Sequence, residues 1–188
     1  MYVAIEGIDT AGKSTQIELL KQRFPQAIFT CEPGGSELGL SLRKILLEDE
    51  MGLSAIAECL LFLSDRAEHI AQVVLPNLAQ LVISDRSLIS GIAYAKDMDL
   101  SKMIELNLFA TQGILPQTIV LLELSSEELH KRLSLKKQDK IEQRGLSFLL
   151  EIQDRMIKAC EILEIPLLRI DASESIQSIH QKICKQIQ

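Results

Sequence analysis

At 188 residues the chain is long enough for one well-buried domain and short for two, and 47% hydrophobic with 24% charged residues places it far from disordered compositions. A formal net charge of −6, no basic block and few aromatics argue against a broad nucleic-acid surface. No apolar run approaches the ~18 residues of a membrane span, and the first residues lack the basic, apolar, small-residue succession of a signal peptide, so the cytoplasm is the expected compartment.

The first element predicted is a buried strand, Tyr2-Val-Ala-Ile-Glu6, running into Gly7-Ile-Asp-Thr-Ala-Gly-Lys-Ser-Thr15. This is G-x-x-x-x-G-K-[ST] placed between a strand and a helix, the context that distinguishes a phosphate-binding loop from a glycine turn with an exposed lysine. Gly7 and Gly12 let the backbone curl so that the N–H groups of Ile8, Asp9, Thr10, Ala11 and their neighbours through Thr15 face phosphate oxygens, with a helix dipole behind them. Lys13 is expected on the β/γ-phosphates and the Ser14 hydroxyl on Mg²⁺.

A helix from Lys13 to about Arg23 follows, then a strand over 27–31 that enters the turn Glu32-Pro-Gly-Gly35. The spacing of Leu38, Leu42, Ile45 and Leu46 predicts a helix over 36–48 with Ser36 as its N-cap. Ile56, Leu60, Leu63, Ala67, Ile70 and Val74 predict a long helix over 54–75, apolar enough to be buried on more than one side. Leu81–Asp85 reads as a short strand ending in a carboxylate, which in phosphate-loop enzymes can face the Mg²⁺ shell.

Helical patterns occupy 89–96 and 101–112, followed by a strand over 118–123 and a helix through Leu133 whose start, Ser125-Ser-Glu-Glu128, resembles a capping box. The polar run Lys136–Arg144 precedes a helix over 146–163, a last strand over 166–170 and a closing helix from Ser173. Cys31, Cys59, Cys160 and Cys184 are scattered, with no C-x-x-C pair or histidine at ligand spacing, so packed reduced thiols are expected and a metal or redox centre is not. His69, His130 and His180 read as surface or interface residues.

Strands alternating with helices indicate an α/β fold, a parallel sheet of about five strands with helices on both faces, of the P-loop NTPase type with a short lid over about 136–145. Gly7–Thr15, Glu32–Gly35 and Asp85-Arg86 would all lie at the carboxyl ends of strands, where such sheets bind ligands. The absence of an N-K-x-D guanine-reading tetrad argues against a regulatory GTPase, whereas Arg86 beside Asp85 and a cationic late segment favour a small-molecule kinase.

The order and spacing of GIDTAGKST (7–15), TCEPGG (30–35), LFLSDRAEH (61–69), ISDRSLISGIAY (83–94), LP (115–116) and QDKIEQR (138–144) resemble the bacterial thymidylate kinase family along nearly the whole chain. The resemblance implies transfer of a phosphoryl group from ATP to dTMP with Mg²⁺. It puts Asp9 near the deoxyribose 3′-hydroxyl, Arg86 on the dTMP phosphate, and Asp85 with Ser14 in the metal shell. Arg66 would meet the thymine edge and Phe62 its face. Tyr94 would lie against the sugar, and Glu32, Pro33, Arg43 and Ser90 would line the acceptor pocket. Arg132 would cover the adenine, one of Lys136, Lys137 or Lys140 would act on the γ-phosphate, and the helix over 54–75 would build a homodimer.

On the residues alone, Phe62 reads first as core, and Arg66, which shares its helix face and could meet the same ligand, reads otherwise as a surface ion pair with Asp65 or Glu68. The chain departs from the family pattern at Cys31, where arginine is usual, at Ser87, where an aromatic or histidine is common, at Gly91 in place of Thr or Asn, and at Ala95 in place of glutamine. Two other readings share the phosphate loop: a deoxyribonucleoside kinase with Glu32 as base for a 5′-hydroxyl, and an assembly module whose loop only switches conformation.

Overall fold

Five strands pair wholly in parallel, in the order β2-β3-β1-β4-β5, in the computed structural model, which describes residues 1–48, 52–95, 97–135 and 145–187. They are β1 (Tyr2–Glu6), β2 (Ile28–Cys31), β3 (Val82–Asp85), β4 (Thr118–Glu123) and β5 (Leu167–Asp171). Every residue of β1 is buried, which requires cover on both faces of the sheet and explains why this strand reads as an unbroken apolar run rather than an alternation. Val3, Ala4 and Ile5 belong to the main core, while Tyr2 and Val82 pack with Ile70 and Val74 in a smaller apolar cluster.

The helices are α1 (Lys13–Arg23), α2 (Glu37–Arg43), α3 (Ala55–His69), α4 (Leu88–Tyr94), α5 (Leu100–Ala110), α6 (Ser126–Ser134), α7 (Leu146–Ile162) and α8 (Ile176–Ile187). Side chains of Ser36, Ser54, Ser87, Asp99 and Ser125 accept hydrogen bonds from backbone N–H groups in the first turns of α2, α3, α4, α5 and α6. The expected capping box at α6 is half made. Ser125 accepts from the Glu128 N–H, but the Glu128 carboxylate is drawn to Arg132 one turn on, at 2.8 Å, rather than back to the cap.

Two predicted helices change pitch. The segment expected as one helix over 36–48 is α2 followed by a turn of π-helix, Lys44–Glu48, and in it Leu38 is exposed while Leu42 is buried. The long helix over 54–75 is α3, then a π-helical turn over Ile70–Val74 and a 3₁₀ turn over Leu75–Asn77, where Pro76 removes a donor. The expected burial on more than one side holds for only part of it: Ile70 and Val74 are buried, but Ile56 is 65% and Leu60 53% exposed.

The strand order determines where the site can be. Because β3 pairs with both β1 and β2, the three loops that follow these strands leave the same edge of the sheet side by side. At the next strand, Gln153 of α7 is buried and clamps the end of β4, accepting from the Leu124 N–H at 2.9 Å and donating to its carbonyl at 3.1 Å. Among the described residues no helix is long and apolar enough to cross a membrane. Lys136, Lys137, Lys140 and Arg144, with all but the last residue of the segment 136–145 expected as a lid, lie outside the described residues.

Candidate active site at the carboxyl edge of the sheet

The turn between β1 and α1 is built around close approach. Gly7 has φ 150°, and a Cβ there would stand 2.8 Å from the Leu122 carbonyl of the neighbouring strand β4, so only glycine fits. Lys13 folds back over the loop, donating from Nζ to the Gly7 and Ile8 carbonyls at 2.8 and 3.2 Å. Burial, reinforced by the positive charge of Arg86, lowers its pKa to about 8. A buried ammonium held only by carbonyl dipoles has much to gain from a polyphosphate, because the anion supplies the charge that the loop lacks. Ser14 stands exposed at the start of α1.

Opposite this loop is Arg86, in the turn from β3 to α4, with φ 72°. A left-handed conformation is costly for a bulky residue and persists only where surroundings impose it. Here the Arg86 N–H donates to the Ile5 carbonyl at 3.0 Å, and the Ser84 hydroxyl donates to the Arg86 carbonyl at 2.7 Å. The strained backbone aims the guanidinium at the phosphate loop. Nη2 pairs with Asp9 Oδ1 at 2.7 Å, and Nη1 donates to Ser90 Oγ at 2.9 Å and the Gly7 carbonyl at 3.4 Å. Tyr94 lies beneath it, with the guanidinium carbon 5.3 Å from the ring centroid. Burial pushes the Tyr94 hydroxyl up to about 12, and its oxygen has no hydrogen-bond partner among the described residues.

Arg155 of α7 secures this side of the site from behind. Its guanidinium donates to the carbonyls of Ala93 at 3.0 Å, Ile92 at 3.2 Å and Ala95 at 3.3 Å, satisfying the end of α4 that carries Tyr94. Asp85, at the last position of β3, keeps a buried Oδ1 without a hydrogen-bond partner among the described residues.

The side of the site between α3 and the turn after β2 is organised by a buried ion pair. Arg66 of α3 is 3% exposed, and its Nη2 lies 2.7 Å from Glu32 Oε2, also buried. The other Glu32 oxygen receives the Nδ1–H of His69 at 2.8 Å, and His69 Nε2 meets the Thr30 hydroxyl at 2.8 Å. Burial opposes ionisation of Glu32, but Arg66 and His69 outweigh it and hold the carboxyl below its usual range. Arg66 also donates to Asn107 Oδ1 at 2.7 Å and the Ser87 carbonyl at 3.2 Å, while its Nε has no partner among the described residues. The surface pairing with Asp65 or Glu68 is therefore not what forms. Asp65 instead accepts from the Gly34 N–H at 2.9 Å, and burial raises its pKa.

Gly91 makes this arrangement possible, since a Cβ on it would stand 2.5 Å from Arg66 Nη1. The departure at 91 thus leaves the space that the guanidinium fills. Phe62, one turn before Arg66 on α3, is half-buried. Arg43 donates to the Pro33 carbonyl at 2.7 Å, bracing the turn after β2. At the far side of the phosphate loop, Arg132 of α6 bridges three groups, donating to the Thr10 carbonyl at 2.9 Å, the Ala172 carbonyl at 2.7 Å and Glu128.

Several residues in the site carry no recognisable spacing in the sequence. His69, expected at the surface or an interface, is fully buried, with Glu32 and Thr30 meeting its two ring nitrogens. Glu6 ends a strand whose other residues are all apolar, and that oddity was its one available signal. Asn107 and Arg155 lie on amphipathic helices among many polar residues and had none.

Comparison with known proteins gives one answer. The family model described as thymidylate kinase matches residues 5–183. The thymidylate kinase of Wolinella succinogenes is 57% identical over 183 residues, covering 97% of this chain and 96% of that protein, and that of Aliarcobacter butzleri is 56% identical over 183 residues with the same coverage. Among solved structures, the crystal structure of thymidylate kinase from Ehrlichia chaffeensis superposes with a TM-score of 0.80 at 25% identity, covering 100% of this chain and 98% of that one.

The state of Lys13 has a measurable consequence. With a pKa of about 8 in the free protein, Lys13 is only half charged at pH 8, and a bound nucleoside triphosphate favours the charged form. Binding at pH 8 should therefore take up a fraction of a proton, seen calorimetrically as heats that depend on buffer ionisation enthalpy, and the uptake should vanish near pH 6. Buffer-independent heats at pH 8 would contradict the assignment.

Proposed function

The chain belongs to the thymidylate kinase family, and on that premise we propose that it passes the γ-phosphoryl group of ATP to dTMP, giving ADP and dTDP, in the crevice between the phosphate loop and Arg86. The observation that carries this reading is the contact between Arg86 and Asp9 at 2.7 Å. It brings an anion-binding fork from β3 against the loop that would hold the donor phosphates, so two phosphate groups are drawn to one place. In-line transfer between phosphates needs this juxtaposition and charge neutralisation more than any covalent step by the protein.

The residues divide the work by position. Gly7–Thr15 cradle the ATP phosphates with backbone N–H groups, and Lys13 leaves the Gly7 and Ile8 carbonyls to follow the β/γ-phosphates. Arg86 holds the dTMP phosphate, Asp9 takes the 3′-hydroxyl, and Tyr94 packs against the sugar. Arg66 and Phe62 face the thymine, with Glu32, Pro33, Arg43 and Ser90 shaping the pocket around them. Arg132, tied to the loops after β1 and β5, offers its guanidinium plane to the adenine.

The oxygen donors fit Mg²⁺. Asp85 presents a buried, unpartnered Oδ1 and Ser14 an exposed hydroxyl, and one carboxylate with one hydroxyl suits an ion that otherwise keeps phosphate oxygens and water. Among the described residues no group of three or more His, Cys, Asp or Glu forms a closed metal cage. When bound, the ion would neutralise charge on the transferring group.

Glu32 is poorly placed to deprotonate a thymidine 5′-hydroxyl. It is buried, and both of its oxygens are engaged by Arg66 and His69. This favours the monophosphate over the nucleoside as acceptor. The apolar surface on α3 supports a homodimer: Ile56 and Leu60 remain exposed, and α5, which packs on α3, presents Phe109 at 84% exposure. We place the enzyme in the cytoplasm, in the route to dTTP.

Three experiments test this reading. ADP release from ATP and Mg²⁺, with dTMP, dUMP, CMP, AMP and thymidine offered in parallel, should be fastest with dTMP; turnover with thymidine but not dTMP would reassign the acceptor. Replacing Lys136, Lys137 and Lys140 together by Ala should lower kcat by about 10²-fold or more, as for loss of a group acting on the transferring phosphoryl. An unchanged kcat would remove these lysines from the chemistry. Sedimentation velocity should give a dimer that Leu60→Asp converts to a monomer, and a monomeric parent protein would overturn the α3 interface.

A further inference from the structure

Glu6 has no assigned part in the reaction, yet it is a fully buried carboxylate at the end of the strand that launches the phosphate loop. Its oxygens receive three donors. The Ser87 hydroxyl donates to Oε1 at 2.7 Å, the Ser90 N–H to Oε1 at 3.3 Å and the Ser90 hydroxyl to Oε2 at 2.6 Å.

The direction of these bonds follows from chemistry. Arg86 Nη1 can only donate, so Ser90 Oγ accepts from it at 2.9 Å, and the one hydroxyl proton of Ser90 is left for Glu6. In the same way the Ile89 N–H donates to Ser87 Oγ at 3.2 Å, which leaves the Ser87 proton for Glu6. Both serines are thereby polarised with their lone pairs away from the carboxylate. Arg86 meets an oxygen made more basic by the charge behind it, which is the condition for a strong hydrogen bond to a guanidinium.

We propose that Glu6 is a positioning residue for the acceptor-phosphate clamp: by taking the Ser90 proton it makes Ser90 Oγ an obligate acceptor for Arg86, and so orients the guanidinium toward dTMP. Ser90 then reaches the substrate through Arg86 and not by donating to it. The inference rests on the reading that Arg86 holds the dTMP phosphate. With Ser90 and the Gly7 carbonyl on Nη1 and Asp9 on Nη2, the protein itself holds both terminal nitrogens of the fork in place before any anion arrives. Arg86 would be held as a preset fork and not recruited by the substrate, which limits the side-chain entropy lost on binding.

An amide at position 6 inverts the pattern. In Glu6→Gln the side chain presents one acceptor and one donating NH₂ to three donors, so one serine must turn its proton away. If that serine is Ser90, its hydrogen is directed at Arg86.

The test is a double-mutant cycle on the full-length enzyme, with Glu6→Gln, Ser90→Ala and both together. Each variant is read by KM for dTMP, KM for ATP and thermal midpoint. Each single change should raise KM for dTMP by about tenfold, the scale of one hydrogen bond to a charged group. KM for ATP should stay within about twofold, and the double variant should be no worse for dTMP than Ser90→Ala, because the effect of Glu6 passes through Ser90. Multiplied single effects, or a lowered thermal midpoint with KM for dTMP unmoved, would overturn the proposal. Should Glu6→Gln not fold, calorimetric dTMP affinity of Ser90→Ala decides it, since an unchanged affinity means that Ser90 transmits nothing. Arg86→Ala separates the two levels: if it leaves dTMP affinity intact, the premise about Arg86 fails, whereas a large loss there with a neutral Ser90→Ala defeats only the role of Glu6.

Discussion

A carboxylate removed from water must be surrounded by donors, and the pairing of Glu32 with Arg66 and His69 is the interaction on which one whole wall of the crevice depends. Such a pair contributes little net stability, because desolvation of both ions offsets their attraction. Its consequence is geometric. Once Glu32 is buried, Arg66 has to cross from α3 toward the turn after β2, and it then collects Asn107 and the Ser87 carbonyl on the way. Removing one charge alone would leave the other buried and uncompensated, at a cost of about 3–5 kcal/mol. The pair therefore ties α3, α5 and the ends of β2 and β3 into one rigid wall.

The opposite wall is set by strain and by a second buried carboxylate. Arg86 sits in a left-handed conformation at the end of β3, a position that its own hydrogen bonds and those of Ser84 impose. Glu6 lies next to it at the end of β1 and draws on Ser87 and Ser90 in the first turn of α4. Ser87 joins the two walls, since its carbonyl accepts from Arg66 while its hydroxyl donates to Glu6. A path of hydrogen bonds and one ion pair, that of Glu32 with Arg66, thus runs from Thr30 through His69, Glu32, Arg66, Ser87, Glu6, Ser90 and Arg86 to Asp9. It links the pocket expected for the base to the loop expected for the phosphates, and its middle members, from His69 to Ser90, are all buried.

The departures from the family pattern acquire a physical meaning in this frame. Gly91 is required by the position of Arg66, whose guanidinium occupies the volume that a larger side chain would need. Ser87 is small enough to cap α4 and reach Glu6 together. Cys31 offers only a weak sulfur contact to the Pro33 carbonyl, at 3.8 Å, and burial raises its pKa, so it does not replace the charge of an arginine. Arg43, at the end of α2, donates to that same carbonyl at 2.7 Å.

The sequence by itself determined whatever depends on local order along the chain. The phosphate loop is one contiguous stretch whose glycines, lysine and hydroxyl work at set offsets, and the buried strands and amphipathic helices are periodic, so their order was legible and the strands fell within a residue of their expected bounds, while some helix ends, such as the start of α8 at Ile176 rather than Ser173, lay further off. The strand-end location of Arg86 followed in the same way, as did the caps at Ser36 and Ser125. Tertiary structure alone decided which polar groups meet across elements. His69 looked like a surface residue because its partners are 37 and 39 positions away, and Arg66 looked like a neighbour of Asp65 because Glu32 is 34 positions distant. Glu6 and Ser90 are 84 residues apart and are brought together by the pairing of β1 with β3. Burial makes these contacts obligatory, since an ion or a hydroxyl out of water must find a partner, but only the packed fold says which partner is within reach.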